Sequence, residues 1–217
     1  MGFFGRRKSI PRLDALLPEE ERKIEGLIES SQNIPWEDDS EDIHIELYEE
    51  AVRKEPQEFI YHYILGTAYF SRGELEKAKE VLGKASSLKP NDPRPLYNLG
   101  VIYYGIRDVR IQEQSGRTTE QEYRRIKEIL SNYPFLPDDL RRSGEDLVRE
   151  FENKIQPDYE RTKYIRDSYR ESPISRESAT ANALSYFTRV LELQLHPEDR
   201  EAVEQHIKLI KQVDALP

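Results

Sequence analysis

A 34-residue offset runs through the middle of this chain and restricts what it can fold into. HYILGTAYF at 62–70 aligns with LYNLGVIYY at 96–104, so Leu65, Gly66 and Tyr69 recur as Leu99, Gly100 and Tyr103. The same offset carries Ala51 to Ala85, Pro56 to Pro90 and Tyr48 to Leu82. A period of this length implies one supersecondary unit per repeat. Each unit is too small to bury its apolar face without a neighbour.

The spacing inside each period is helical. Leu65, Gly66 and Tyr69 share one face of a helix over 59–72, and Gly73 breaks it. Ala78, Val81, Leu82 and Ala85 form a stripe on a second helix over 75–88. Lys89-Pro90-Asn91-Asp92 ends that helix, because Pro90 disfavours helical angles at its predecessor. The product is a helical hairpin. Gly66 and Ala78 are small enough to let its two backbones approach closely.

These residues resemble the tetratricopeptide repeat. Leu65, Gly66, Tyr69, Gly73, Ala78, Leu82, Ala85 and Pro90 occupy that family's pattern positions, with His62 where the family usually has Trp. The resemblance implies an all-α, tetratricopeptide-like helical hairpin solenoid. It also implies a non-catalytic adaptor or scaffold that binds a partner protein.

The pattern is incomplete on both sides. Tyr48, Ala51 and Pro56 fit a second helix over about 41–54, but His44 and Gln32 replace the expected small residues. Pro18 opens a helix over 18–30, with Ile24, Leu27 and Ile28 inward, so residues 18–40 read as a modified cap. Residues 93–106 form the first helix of a further repeat. Its second helix is missing near position 112 and reappears at Ala183, Phe187 and Val190, which implies a 71-residue insertion from 183 − 112. Val203, Ile207 and Ile210 mark a closing helix over 198–213.

The insertion is itself patterned as helices. One carries Tyr123, Ile126 and Leu130 after a Thr118 or Thr119 cap, and another carries Leu140, Leu147, Phe151 and Ile155. Tyr159, Tyr164 and Ile165 suggest a third, and 172–175 is a loop. The chain thus divides into an N-terminal docking or frayed segment (1–17), cap and repeats (18–106), insertion (107–175), and the resumed helix with its closing helix (176–217).

Composition narrows the function. Acidic residues outnumber basic ones 42 to 33, for a net charge of −9, which argues against a nucleic-acid partner. The 13 Tyr and 7 Phe cluster enough to argue against disorder. With no Cys there is no thiol nucleophile, disulfide or Cys-ligated zinc. His44, His62, His196 and His206 have no metal-site spacing, and no nucleophile-elbow, phosphate-loop or dinucleotide motif occurs. The sequence therefore predicts no catalytic residue, no metal and no cofactor. No apolar run is long enough to span a membrane, and MGFFGRRKSI lacks the features of a secretory signal. A cytoplasmic location is expected.

By the resemblance, partner peptides contact the inward positions of the first helices. Here these are Tyr63, Thr67 and Phe70, followed by Arg94, Tyr97, Asn98, Val101 and Tyr104. Tyr63 with Tyr97, and Phe70 with Tyr104, form two aromatic rows. Arg94 and Asn98 stand one turn apart and suit a ligand carboxylate or backbone amide. The competing reading has the insertion fold back and fill this groove, which makes the rings core. An alternative function is a structural subunit of a larger, membrane-associated assembly. In it, Phe3 and Phe4 beside Arg6, Arg7 and Lys8 provide peripheral contact through residues 1–10.

Overall fold

The computed structural model describes residues 13, 15–30, 41–115, 119–132, 137–150, 152 and 163–214. These hold ten α-helices and no strand. In chain order they are α1 (Pro18–Ser30), α2 (Glu41–Lys54), α3 (Phe59–Ser71), α4 (Leu75–Leu88) and α5 (Pro93–Ser115). There follow α6 (Thr119–Asn132), α7 (Asp138–Glu150), α8 (Lys163–Glu171), α9 (Arg176–Leu191) and α10 (Pro197–Asp214).

The hairpin α3–α4 turns where the sequence places the break. Gly73 has a φ of 75°, which L side chains rarely adopt. Its N–H donates to Phe70 O at 2.9 Å, and that of Glu74 donates to Tyr69 O at 2.9 Å. This pairing closes the carbonyls of the last turn of α3. Across the hairpin, a Cβ on Gly66 would lie 2.7 Å from Leu82 Cγ, so the helices meet through the missing side chain. Leu82, Ala78 and Ala85 have no exposed surface.

The same contact recurs between α5 and α9. A Cβ on Gly100 would lie 2.7 Å from Phe187 Cε1, and Phe187, Ala183 and Val190 are fully buried. Phe187 therefore stands to Gly100 as Leu82 stands to Gly66. Ser175 caps α9 by accepting from Ser178 N–H at 3.2 Å. The closing helix α10 begins at Pro197, a favourable first position, and buries Val203 and Ile210 against α9.

α5 runs nine residues past the end expected at 106. Val109 and Arg107 on this extension are buried, and no breaker occurs before Gly116. α8 packs there: a Cβ on Gly105 would overlap the Tyr169 ring. Arg110 fixes the chain leaving α8 by donating to the carbonyls of Arg170 and Ser172. α6 and α7 form a separate antiparallel pair, with Leu130 against Gly144. Phe151, Ile155 and Tyr159 lie outside the described residues, as do Phe3, Phe4, Arg6, Arg7 and Lys8.

Candidate functional site

Arg94 begins the groove-lining face of α5, yet none of its surface is exposed. Asp92 caps α5 by accepting from Arg94 N–H at 3.1 Å. The guanidinium turns back onto the same carboxylate, with Nε to Oδ1 at 2.9 Å and Nη2 to Oδ2 at 2.6 Å. Its other edge grips Glu20, with Nη1 to Oε2 at 2.6 Å and Nη2 to Oε1 at 2.9 Å. The remaining donor reaches Ala15 O at 3.2 Å. All five guanidinium N–H groups are thereby matched. The cation also lies 5.0 Å from the centre of the Tyr63 ring.

Arg94 is therefore not available to a ligand, which corrects the expectation. It holds carboxylates and a backbone carbonyl of its own chain. The local sequence explains the partner. Pro18 opens α1, and Glu20, two positions on, reaches back to Leu17 N–H at 3.0 Å. Burial alone would raise the Glu20 carboxyl pKa. Hydrogen bonds from Arg94 and Leu17, with the charges of Arg94 and Lys89, outweigh it and hold the group below its ordinary value.

Residues 13 and 15–17, which with α1 form an N-terminal strap, are laid by this clasp along one edge of the helices. Leu13 N–H donates to Asp199 Oδ2 at 3.3 Å, on α10. At the other end of the strap, Lys23 pairs with Glu58 ahead of α3. The strap thus touches the turns before α3, before α5 and at the start of α10. No residue in 13–30 carries the 34-residue signature, so periodicity gives no sign of it.

The expected aromatic rows are covered unequally. Tyr97 and Tyr104 meet His206 of α10, with ring centres 6.0 and 5.2 Å apart, both edge to face. Tyr97 also lies 6.0 Å from Phe187. The covering element is thus the closing helix; α6 and α7 pair with each other. Val101 packs in the same cluster, and Phe70 packs against the α3–α4 core. Tyr63 is buried and stacks on Phe59 with centres 6.0 Å apart.

One part of the groove stays open. A cleft of about 360 Å³ lies between the strap and helices α2 and α3. Its walls are Ala15 and Leu16 on one side, His44 and Tyr48 on α2, and Tyr63, Ile64, Thr67, Ala68 and Ser71 on α3. Thr67 Oγ1 donates to Tyr63 O at 2.9 Å and accepts from Asn98 Nδ2 at 3.5 Å. Burial pushes the Tyr48 and Tyr63 hydroxyls up, so both stay neutral at physiological pH. The cleft offers apolar walls with a few hydroxyl and imidazole groups, which suits side-chain recognition. Tyr63 and Thr67 reach it. Phe70, Tyr97, Asn98, Val101 and Tyr104 are not among its walls, while His44, Tyr48 and Ser71 enter it unforeseen. Tyr48 and His44 were legible on α2, but only the strap makes them a wall.

His62 sits in the hairpin core, 3.0 Å from Pro56 O through Nε2. Among the described residues no cluster of His, Asp or Glu suits a metal ion, and no helix is long and apolar enough to cross a membrane.

Paired helices closing on glycine, stacked by a 34-residue rule, define a helical-repeat protein. Residues 66–106 match the TPR repeat family, which supports the tetratricopeptide resemblance over that stretch. Repeats of this family generally mediate protein–protein interaction and are typically non-catalytic. No curated protein and no solved structure matches the chain.

Proposed function

We propose that this protein is a non-catalytic adaptor that binds a protein partner in the cleft between the N-terminal strap, α2 and α3. The observation that carries this reading is the uneven covering of the groove. The clasp occupies Arg94, and α10 covers Tyr97 and Tyr104. Among the described residues, the stretch from Tyr63 to Ser71 keeps an open wall that lines one cleft with Leu16, His44 and Tyr48. Apolar walls supply contact area, and the Thr67 and Ser71 hydroxyls supply direction. A partner segment with one or two apolar anchors fits this shape.

Thr67 is half-buried and Ser71 is exposed, so bulk placed there blocks the cleft without entering the core. Affinity capture from cells should compare the natural chain with Thr67→Arg/Ser71→Arg. The expected result is a partner protein whose recovery falls at least about tenfold with the double variant, the effect of ~1.4 kcal/mol. Equal recovery of every captured protein would rule the cleft out.

A further inference from the structure

Ala15 and Leu16 form one wall of the cleft, yet little apolar burial holds them there. Ala15 is exposed and Leu16 half-buried. α1 continues them, and among its described residues Glu20 and Ile24 are buried, with Leu27 and Ile28 half-buried. A helix of 13 residues is marginal by itself. Interior Gly26, where a Cβ would meet nothing within 4 Å, lowers its helix propensity further. The α3–α4 and α5–α9 hairpins, by contrast, close on glycine seams of their own.

Polar contacts hold the strap instead, and they converge on one carboxylate. Glu20 Oε2 accepts from Leu17 N–H at 3.0 Å and from Arg94 Nη1 at 2.6 Å. Its Oε1 accepts from Arg94 Nη2 at 2.9 Å and from Lys89 Nζ at 3.5 Å. Arg94 Nη1 also donates to Ala15 O at 3.2 Å. One guanidinium nitrogen thus holds both Glu20 and a wall of the cleft. Glu20 itself is not among the cleft walls.

We propose that the strap is a detachable wall, latched by Glu20 to Arg94, and that this latch sets whether the cleft can hold its partner. The proposal rests on the adaptor reading above. Latched, Ala15 and Leu16 complete the cleft begun by α2 and α3. Released, they leave α2 and α3 as an open surface, where an apolar anchor loses its contacts on one side. Strap and α1 open together as one unit of low local stability. Latching and binding are reciprocal: a partner that touches the strap wall strengthens the latch by the factor with which the latch strengthens binding.

Hydrogen exchange of the full chain, followed by mass spectrometry, reads the latch. Amides of residues 15–21 should be protected in the natural chain. In Glu20→Ala they should exchange near the rate of an unfolded chain, while those of α4 and α9 stay protected. Glu20→Gln should lose part of that protection, and it carries the test if Glu20→Ala does not fold. The probe for the cleft is the captured protein that Thr67→Arg/Ser71→Arg loses. Its recovery should fall at least about fivefold with Glu20→Ala, although Glu20 does not line the cleft. Added to the natural chain, it should slow exchange in 15–21. A strap equally protected in natural and variant chains, or protected in neither, overturns the latch. So does a loss of protection shared by α4 and α9, which would make Glu20 a purely structural residue. A released strap with that protein recovered in full overturns the gating and leaves the adaptor reading standing. Capture that Thr67→Arg/Ser71→Arg leaves unchanged removes the adaptor reading, and the gating with it.

Discussion

At Arg94 the fold supplies an acceptor for each of five N–H groups, and two carboxylates carry most of them. Removing one partner of such a buried set leaves charge unmatched, which typically costs about 3 kcal/mol. Glu20→Ala should therefore lower stability by about that amount, as read by urea unfolding. Its acid response has a definite sign. The folded Glu20 carboxyl sits below its ordinary value of 4.5, so its contribution is complete above that pH. It is lost as pH falls further, through the folded value. Stability of the natural chain should decline on acidification below 4.5, and Glu20→Gln should decline less steeply. Identical profiles would mean that the clasp adds nothing. The sequence offers Arg94 to a carboxylate or backbone amide of a ligand, whereas the structure turns it onto carboxylates of its own chain. Nothing in the sequence points to Glu20, because it lies 74 positions upstream in a segment without the repeat.

The elements separate into those written by a period and those decided by packing. Helices α3, α4 and the start of α5 follow from the stripes of Leu65, Tyr69, Leu82 and Ala85. The continuation of α5 to Ser115 does not, since Arg107 and Arg110 interrupt the apolar pattern. They are stabilised by distant carbonyls: Arg107 Nη2 donates to Ile210 O at 3.0 Å, and Arg110 donates to the carbonyl of Ser172. Glycines expose the same distinction. Gly105 lies under the Tyr169 ring, whereas nothing comes within 4 Å of a Cβ on Gly83. Gly105→Ala should thus cost about 2–3 kcal/mol by overpacking. Gly83→Ala should instead stabilise α4 by about 0.5–1 kcal/mol through higher helix propensity. Thermal unfolding of the two variants reads both signs, and equal shifts would contradict the placement of α8 on α5.

In the whole molecule, a short run of repeats is completed by parts that lack the repeat. The strap spans the turns before α3 and α5 and reaches α10, while α10 covers the apolar side chains of α5 and α9. The candidate cleft belongs to this larger arrangement, which explains why only Tyr63 and Thr67 of the expected contacts line it. Inward positions were legible from the 34-residue register. Which of them stay open was not, because strap and closing helix dock through residues far apart in the sequence, such as Leu13 with Asp199.

The account rests on α5 and α9 forming one repeat hairpin despite the residues between them. A double-mutant cycle of Gly100→Ala and Phe187→Ala, followed by urea unfolding, tests that pairing most directly. Gly100→Ala should cost about 1–3 kcal/mol while the Phe187 ring is present. It should cost little once Phe187→Ala has emptied the space, so the two effects fall short of additivity by at least ~1 kcal/mol. Effects that add within about 0.5 kcal/mol would show that Gly100 and Phe187 do not meet.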